Sequence, residues 1–263
     1  MPSSSGLIWS NCNAVVTFWL PHFKSSVLKG MDIQVRKKMT DNDRQAISRV
    51  QLYPAFLSLQ GKVCAVVGGG SVATRKVRSL LVTGASIVVI SPQLHAELQA
   101  LLSRSLIHSI PSNYSEEHLK GVQIVFAATN DHEVNQCISE DAHARGLWVN
   151  VADNPALSDF YVPATIHRGD LTVAISTGGS SPAFARYVRE LLEETLSEAL
   201  GQALDMIAQA RPLILAEPKE QQASLWESLF ALRLEAIIET EGYPLARSRF
   251  EEWLRQIPPK TGC

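Results

Sequence analysis

The sequence has little excess charge, few cysteines and no long hydrophobic run. Its 263 residues carry a formal net charge of −2, so no basic excess indicates binding to bulk nucleic acid or to an anionic membrane. The longest apolar stretch, 14–20, is too short to span a bilayer, and it lacks the basic flank and cleavage site of a signal peptide. The four cysteines show no CxxC spacing, which argues against disulfides or a thiolate zinc site and predicts a cytoplasmic protein.

The patterns of several hydrolase classes are missing as well. The seven histidines form no HxH or HxxxH pair, so the sequence gives no support for a zinc hydrolase. It also lacks the Gly-x-Ser-x-Gly elbow of α/β-hydrolases and the lysine of a Walker loop. What it does have is 46% hydrophobic residues, in a chain long enough for one large domain or two ordinary ones.

Short hydrophobic runs alternate with helical patterns between residues 62 and 151. The runs are rich in β-branched residues and the segments between them place apolar residues at helical spacing. This alternation predicts an α/β domain, a Rossmann-type parallel sheet with helices on both faces. The predicted strands are 62–67, 86–91, 106–110, 122–128 and 147–151, and the predicted helices are 72–84, 95–103 and 131–145.

The alternation ends near residue 153. Two extended runs, 160–167 and 171–177, flank a glycine-containing turn and predict an antiparallel hairpin. A helix is expected to begin at Pro182, and the pattern stays helical to Arg255 with breaks at Pro212, Pro218 and Pro244. We therefore expect a poorly ordered extension over 1–50, a dinucleotide-binding domain over 51–152, a hairpin-plus-helix segment over 153–199 and a helical C-terminal domain over 200–263.

A glycine-rich motif lies between the first predicted strand and the first predicted helix. Gly68-x-Gly70-x-x-Ala73 has the spacing and the context of a dinucleotide-binding fingerprint. The first glycine makes the tight turn, the second lets the backbone approach a diphosphate, and the small third residue lets the helix pack on the strand. The diphosphate would lie at the helix N-terminus, whose free N–H groups favour negative charge. The alternative is a glycine-rich turn that binds nothing.

The second predicted strand lacks the acidic residue that usually binds the ribose hydroxyls of NAD. Ser91 and Pro92 occupy its place, and Glu97 lies too far along the chain. Arg75 and Lys76 lie in the first helix, where such charges are usually exposed to solvent. From the residues alone, NAD and NADP stay undecided.

Two polar segments follow strands at the same expected edge of the sheet. Asn130 follows Ala127-Ala-Thr129 and could hydrogen-bond a ribose or nicotinamide, or else Asn130 or Asp131 could cap the next helix. Asp153 follows the last parallel strand, where ligands of open α/β sheets bind. Because hydride removal from carbon is accompanied by proton loss, Asp153 is the candidate general base. The alternative is an Asx turn in Asp-Asn-Pro.

The last candidate segment precedes the helix that is expected to begin at Pro182. Ser181 fits the N-cap position, and the same helix end could bind substrate carboxylates. Arg186 and Arg189 are three residues apart and share a helix face. Capping alone and anion binding both stay open.

In this order, the motifs resemble the precorrin-2 dehydrogenase/sirohydrochlorin ferrochelatase family of sirohaem synthesis. The resemblance runs from about residue 53 to 195 and depends on the combination of motifs, since each alone is weak. The tail over 200–256 is similar to the family's helical C-terminal region. No uroporphyrinogen methyltransferase module follows, so we do not expect the multifunctional fusion form. The matching segments are 53–56, 66–76, 127–130, 150–155, Phe160 with 163–164, and 175–183.

The resemblance implies an NAD-dependent oxidation of precorrin-2 to sirohydrochlorin by a homodimer interlocked through the hairpin and helices. It implies that Asp153 is the catalytic aspartate, and that Asp153 transiently contacts Fe²⁺ if the protein also inserts iron. The missing acid after the second strand is usual for this family and does not count against NAD. A non-catalytic nucleotide-sensing module is the alternative. The implied cofactor residues are Gly68, Gly69, Gly70, Ser71, Val72, Ser91, Pro92, Thr129 and Asn130, and the implied substrate residues are Ser180, Ser181 and Arg186.

Overall fold

The computed structural model describes residues 52–152 and 154–257. The predicted extension over 1–50 and the candidate Asp153 therefore lie outside the described residues. The described chain contains a parallel sheet, an antiparallel hairpin and a series of C-terminal helices. No helix within 52–152 or 154–257 is long and apolar enough to cross a membrane.

The parallel sheet forms from five short apolar runs, each within two residues of its predicted bounds. Its strands are β1 (Val63–Val67), β2 (Ser86–Ile90), β3 (His108–Ile110), β4 (Ile124–Ala127) and β5 (Trp148–Val151). Their order, β3-β2-β1-β4-β5, confirms the predicted Rossmann-type fold. Val67 pairs with Ile90 and with Ala127, and Ala127 pairs with Val151, so the carboxyl ends of four strands share one edge. The strand order reverses between β1 and β4, where such sheets bind ligands.

Helices cover both faces of the sheet. They are α1 (Ser71–Leu81), α2 (Ala96–Ser103) and α3 (His132–Ala144). The helix α1 buries Ala73, Val77 and Leu80 in one apolar cluster with α2, whereas α3 buries Ile138 and Ala142 in a separate cluster on the opposite face. Two covered faces explain why the strands are hydrophobic throughout. Since α1 follows β1 and α3 follows β4, both helices begin at the carboxyl edge of the sheet.

The predicted hairpin is present but shorter than expected. It consists of β6 (Ala164–Arg168) and β7 (Leu171–Ile175), and α4 (Pro182–Thr195) follows it. The prediction that the first strand begins at Phe160 is wrong because this segment bonds to β5 instead. The Asp159 N–H donates to the Val149 carbonyl, and the Asn150 side chain donates to the Phe160 carbonyl, both at 2.8 Å.

The C-terminal region is helical, with its own apolar core. Its helices are α5 (Glu198–Ala216), α6 (Lys219–Ala231), α7 (Leu234–Glu241) and α8 (Tyr243–Leu254). Pro218 precedes α6 and Pro244 lies in the first turn of α8, as expected for helix boundaries, but the predicted break at Pro212 is wrong. Buried Ala210 and Ile214 keep α5 on the core, and the carbonyl that loses its donor at Pro212 belongs to Ala208, an exposed residue. The predicted division at residues 153 and 200 stays a prediction.

Candidate functional site

The glycine-rich turn joins the end of β1 to the start of α1. Gly68 has a φ of +121°, a conformation that residues with a side chain rarely adopt. A Cβ atom at Gly68 would overlap the carbonyl oxygen of Ala128, the residue after β4. The Gly68 N–H donates to the Ile90 carbonyl of β2 at 2.9 Å. The turn therefore lies at the crevice where the strand order reverses.

Gly69 is held against the loop that follows β2. A Cβ atom at Gly69 would overlap the Gln93 carbonyl oxygen and would lie 2.6 Å from the Ser91 Oγ atom. The Ser91 hydroxyl donates to that same carbonyl at 2.7 Å, and the His95 N–H donates to the Gly69 carbonyl at 2.8 Å. Ser91 thus fixes the loop that supports the turn.

Gly70 is the N-cap residue of α1, and the space beside it is open. A Cβ atom there would meet nothing within 4 Å, in contrast to Gly68 and Gly69. No side chain caps α1, and its first turn contains no acidic residue. Exposed Ser71 and half-buried Val72 follow. The first N–H groups of α1 are consequently available to a diphosphate. The open space beside Gly70 could hold that diphosphate, and a Cβ atom at this position would partly fill the space.

A cavity of about 500 Å³ lies beside the turn, at the carboxyl ends of β2 and β3. Ser91 and Pro92 line it together with Gln93 and Ser109, and none of its eight lining residues carries a charge. Its polar groups are hydroxyls and amides, which suit neutral ribose hydroxyls and a heterocycle. The lining residues offer no cation to a 2′-phosphate.

The segment after β4 resolves the predicted choice of helix cap. The Asp131 carboxylate accepts from the N–H groups of Glu133 and Val134 at 2.9 and 3.2 Å, so Asp131 caps α3. The Thr129 hydroxyl is bonded to the Asn135 side-chain oxygen at 2.8 Å, which fixes Thr129 at the sheet edge. Asn130 is exposed between these two residues and does not act as the cap. Its amide therefore lies at the surface, beside the crevice.

The loop after β5 is bonded to β4 at its start and to β5 at its end. The Ala152 N–H donates to the Ala127 carbonyl at 2.8 Å, and the Val151 N–H donates to the Ser158 hydroxyl at 2.9 Å. The Asp159 carboxylate accepts from the Val149 N–H at 2.9 Å. Ala152, Ser158 and Asp159 are therefore held at the parallel sheet.

Arg75 and Lys76 of α1 were both expected to be exposed to solvent, and they differ in the structure. Arg75 is exposed, as predicted, but Lys76 is half-buried and faces the sheet. Its Nζ atom donates to the Asn150 Oδ1 atom at 3.0 Å and lies 5.8 Å from the centre of the Phe126 ring. The available signal in the sequence was Asn150, a polar residue inside an otherwise apolar strand, because such a buried amide requires partners.

The start of α4 is capped by its own residues. The Ser181 hydroxyl accepts from the Phe184 N–H, and the Ser181 N–H donates to the Thr177 hydroxyl, both at 3.1 Å. Ser180 and Arg186 are exposed nearby. The capping function of Ser181 is therefore present in the structure, while its predicted contact with substrate stays a prediction.

The described thiols are free. Cys64 is buried in β1, and burial raises the pKa of its thiol to about 11, so it is not a nucleophile. Cys137 is exposed on α3. Within the described ranges, no three histidine, cysteine or carboxylate side chains are grouped to hold a metal ion.

Comparison with known proteins identifies the family. Two family models match the sequence, one described as "Putative NAD(P)-binding" over residues 55–164 and one described as "Sirohaem biosynthesis protein central" over 168–195. The solved structure of "SirC, precorrin-2 dehydrogenase" is 30% identical with a TM-score of 0.61, and the match covers 78% of this chain and 98% of SirC. The chain belongs to the precorrin-2 dehydrogenase family of sirohaem biosynthesis. The predicted resemblance is confirmed.

Longer relatives of this precorrin-2 dehydrogenase family member are siroheme synthases. That of Methylobacillus flagellatus is 37% identical over 183 residues, which are 69% of this chain and 39% of the relative. That of Chromobacterium violaceum is 36% identical over 205 residues, which are 77% of this chain and 44% of the relative. The chain thus spans about two fifths of the length of these relatives.

Proposed function

We propose that the protein oxidises precorrin-2 to sirohydrochlorin with NAD⁺. The observation that carries the proposal is the open, uncapped N-terminus of α1 beside Gly70, in a chain that covers 98% of the length of a precorrin-2 dehydrogenase. A nucleotide-sensing module without catalysis would use the same turn. It would have no need of the anchored loop after β5.

The residues at the carboxyl edge fit NAD. Gly68 makes the turn, the N–H groups from Gly69 to Val72 would hold the diphosphate, and the exposed Asn130 amide with Thr129 would contact the nicotinamide half. The uncharged cavity at Ser91 and Pro92 supports NAD over NADP, because a 2′-phosphate would meet no cation among its lining residues. When bound, the nicotinamide supplies the hydride acceptor.

Asp153 is the proposed proton acceptor. The oxidation removes one hydride and one proton from the macrocycle, so a base is needed near the nicotinamide. A carboxylate that follows β5 in the sequence would take that proton, and the residues on either side of it, Ala152 and Ser158, are bonded to the sheet. Asp153 would then release the proton to water between turnovers.

The substrate carries eight carboxylates, which suit helix ends, hydroxyls and arginines. Ser180, Ser181 and Arg186 at the start of α4 are the proposed contacts, with Arg186 supplying the positive charge. The Ser181 side chain caps α4, so its hydroxyl hydrogen is left to donate to a carboxylate.

A homodimer is part of the proposal. The helix α4 exposes Phe184, Tyr187 and Leu191 in one row, with 56%, 54% and 47% of their surfaces accessible. Such a row on a monomer is an interaction surface, and the adjacent two-stranded hairpin offers strand edges for pairing. Tyr187→Glu should convert the dimer to a monomer in light scattering, whereas Arg249→Glu on the exposed face of α8 should not.

Iron insertion into sirohydrochlorin stays a prediction, with Fe²⁺ as a substrate that would contact Asp153 transiently. Anaerobic incubation with sirohydrochlorin and Fe²⁺, read at the sirohaem absorbance against the non-enzymatic rate, tests it. We place both reactions in the cytoplasm, and the free thiols of Cys64 and Cys137 support a reducing compartment.

The dehydrogenase is tested by anaerobic NADH formation with enzymatically made precorrin-2. The protein should form NADH, and Asp153→Asn should lower kcat by about 100-fold or more while NAD binding is retained. Asp205→Asn, at an exposed position of α5, is the matched control. Tight NAD binding without turnover by the wild-type protein would favour the sensing module. A wild-type rate in Asp153→Asn would remove Asp153 from the mechanism.

A further inference from the structure

Asn150 occupies a buried position that joins three parts of the protein. It lies on β5 with 7% of its surface exposed, and both ends of its amide are bonded. Its Oδ1 atom accepts from the Lys76 ammonium of α1 at 3.0 Å, and its Nδ2 atom donates to the Phe160 carbonyl at 2.8 Å. Phe160 follows the loop that begins at Ala152. The amide therefore connects both ends of that loop to the helix that begins at the glycine-rich turn.

Lys76 determines which way this amide faces. An ammonium group can only donate hydrogen bonds, so the oxygen of Asn150 has to face Lys76. The NH₂ group is then directed at the Phe160 carbonyl, which can only accept. Without the ammonium, the amide could rotate and the Phe160 carbonyl would lose its buried donor. An interaction of this kind rigidifies a loop because each partner has one satisfactory arrangement.

The aromatic surroundings hold Lys76 in place. Its Nζ atom lies over the Phe126 ring, and the Phe126 and Phe160 rings meet edge to face with their centres 5.5 Å apart. Phe126 is 4% exposed, so the ammonium lies against a buried ring. The neighbouring cation on α1, Arg75, is exposed.

We propose that Lys76 is a positioning residue, which acts through Asn150 to fix the loop over 152–160 relative to the cofactor helix α1. The inference rests on the proposed function, because the loop matters for turnover only if residue 153 accepts the proton. Displacing a reacting group by about 1 Å can cost about 100-fold in rate even when ligand binding is intact. Lys76 is thus expected to affect kcat far more than the affinity for NAD.

The kinetic test uses Lys76→Met, Asn150→Ala and the double variant, with Arg75→Met as the matched control. We expect Lys76→Met to lower kcat for NADH formation by roughly tenfold or more, with the KM for NAD changed less than about twofold. Because Lys76 acts through Asn150, the double variant should be no slower than Asn150→Ala alone. Additive losses would overturn action through Asn150, and a wild-type kcat in Lys76→Met would overturn the positioning function.

A second measurement needs neither cofactor nor substrate. In the unliganded protein, backbone hydrogen exchange of a peptide covering 152–160 should be about tenfold faster in Lys76→Met than in the wild type or in Arg75→Met. Lys76→Arg, which keeps a donor, should restore slow exchange. If the wild-type protein forms no NADH, the proposed function fails, while exchange still decides whether Lys76 fixes the loop. Unchanged exchange in Lys76→Met would overturn the proposal even if activity fell.

Discussion

The N-termini of α1 and α4 are both candidate anion sites, but only that of α4 has a side-chain cap. The first turn of α4 is closed by its own chain, since Ser181 accepts from the Phe184 N–H and is held in turn by Thr177. The first turn of α1 has no side-chain cap, and the space beside Gly70 is open. A side-chain cap provides an acceptor for the first N–H groups of a helix and so stabilises the fold. In a helix without such a cap, these N–H groups require water or a ligand as their partner.

The same difference separates the two kinds of glycine in the turn. Gly68 and Gly69 are required by the fold, because a Cβ atom at either position would overlap backbone of the neighbouring loops. Gly70 is not required by the folded chain in this way. The proposed diphosphate would account for the absence of a side chain at Gly70. This contrast separates variants that impair binding from variants that impair folding.

The largest expected effect is on NAD binding in Gly70→Ala. The added methyl group meets nothing in the unliganded protein but would occupy the space of the diphosphate, so we expect the Kd for NAD to rise by about 100-fold, or about 2.7 kcal/mol. The melting temperature without NAD should change little. Fluorescence titration with NAD and thermal unfolding measure the two quantities. Wild-type affinity in Gly70→Ala would contradict the assignment of this space to the diphosphate.

The second prediction reverses that pattern at Gly69. Gly69→Ala places a methyl group on the Gln93 carbonyl, and the loop from Ser91 cannot yield without breaking the Ser91 hydroxyl bond. We expect a loss of about 1–3 kcal/mol in the free energy of unfolding, measured by urea denaturation without ligand. The control is Gly70→Ala without ligand, at the next glycine, whose Cβ atom would meet nothing within 4 Å. Because neither Gly69 nor Gly70 has a positive φ, the larger loss in Gly69→Ala reports the overlap with the Gln93 carbonyl and not backbone strain.

The third prediction concerns the capped helix. Ser181→Ala removes the acceptor for the Phe184 N–H, so the free energy of unfolding should fall by about 1 kcal/mol, and Ser181→Gly should cost only a few tenths. Ser71→Ala, at the start of uncapped α1, should leave stability unchanged because Ser71 is exposed and does not cap the helix. Equal losses in the Ser71 and Ser181 variants would mean that the two helix ends do not differ.

The parts of this arrangement that are local in sequence could be predicted from it. The strands, α1, α3 and the cap at Ser181 follow from apolar spacing and from residues with strong positional preferences. Pro212 shows where this fails, since burial of Ala210 and Ile214 continues α5 through a residue that usually ends a helix. A local rule has no access to such tertiary packing.

The site could be predicted only in part, for a related reason. The motif places Gly68 and Gly70 in one turn, but it cannot distinguish a glycine required by the fold from one required by a ligand, since that depends on Ala128 across the sheet. Lys76 was assigned to a solvated face because its partner, Asn150, is 74 residues away in the sequence. Only the register of β1, β4 and β5 brings the two together.

The smallest expected effect is electrostatic and concerns an ion pair in the last turn of α1, away from its open N-terminus. Arg78 of α1 forms a two-pronged ion pair with Glu97 of α2, which joins the helices whose preceding loops meet at Gly69. The hydrogen bond from Arg78 lowers the pKa of the Glu97 carboxyl below its usual value. A carboxyl with a lowered pKa in the folded state stabilises the protein at pH values above its usual pKa of 4.5, and that contribution is lost as the pH falls through the lowered value.

Glu97→Gln should therefore reduce stability at pH 7 slightly, and the difference from wild type should vanish in acid and shrink in high salt. Thermal unfolding across pH, with Glu227→Gln on the exposed face of α6 as control, measures it. A deficit that persists at low pH would mean that Glu97 contributes through packing and not through its charge.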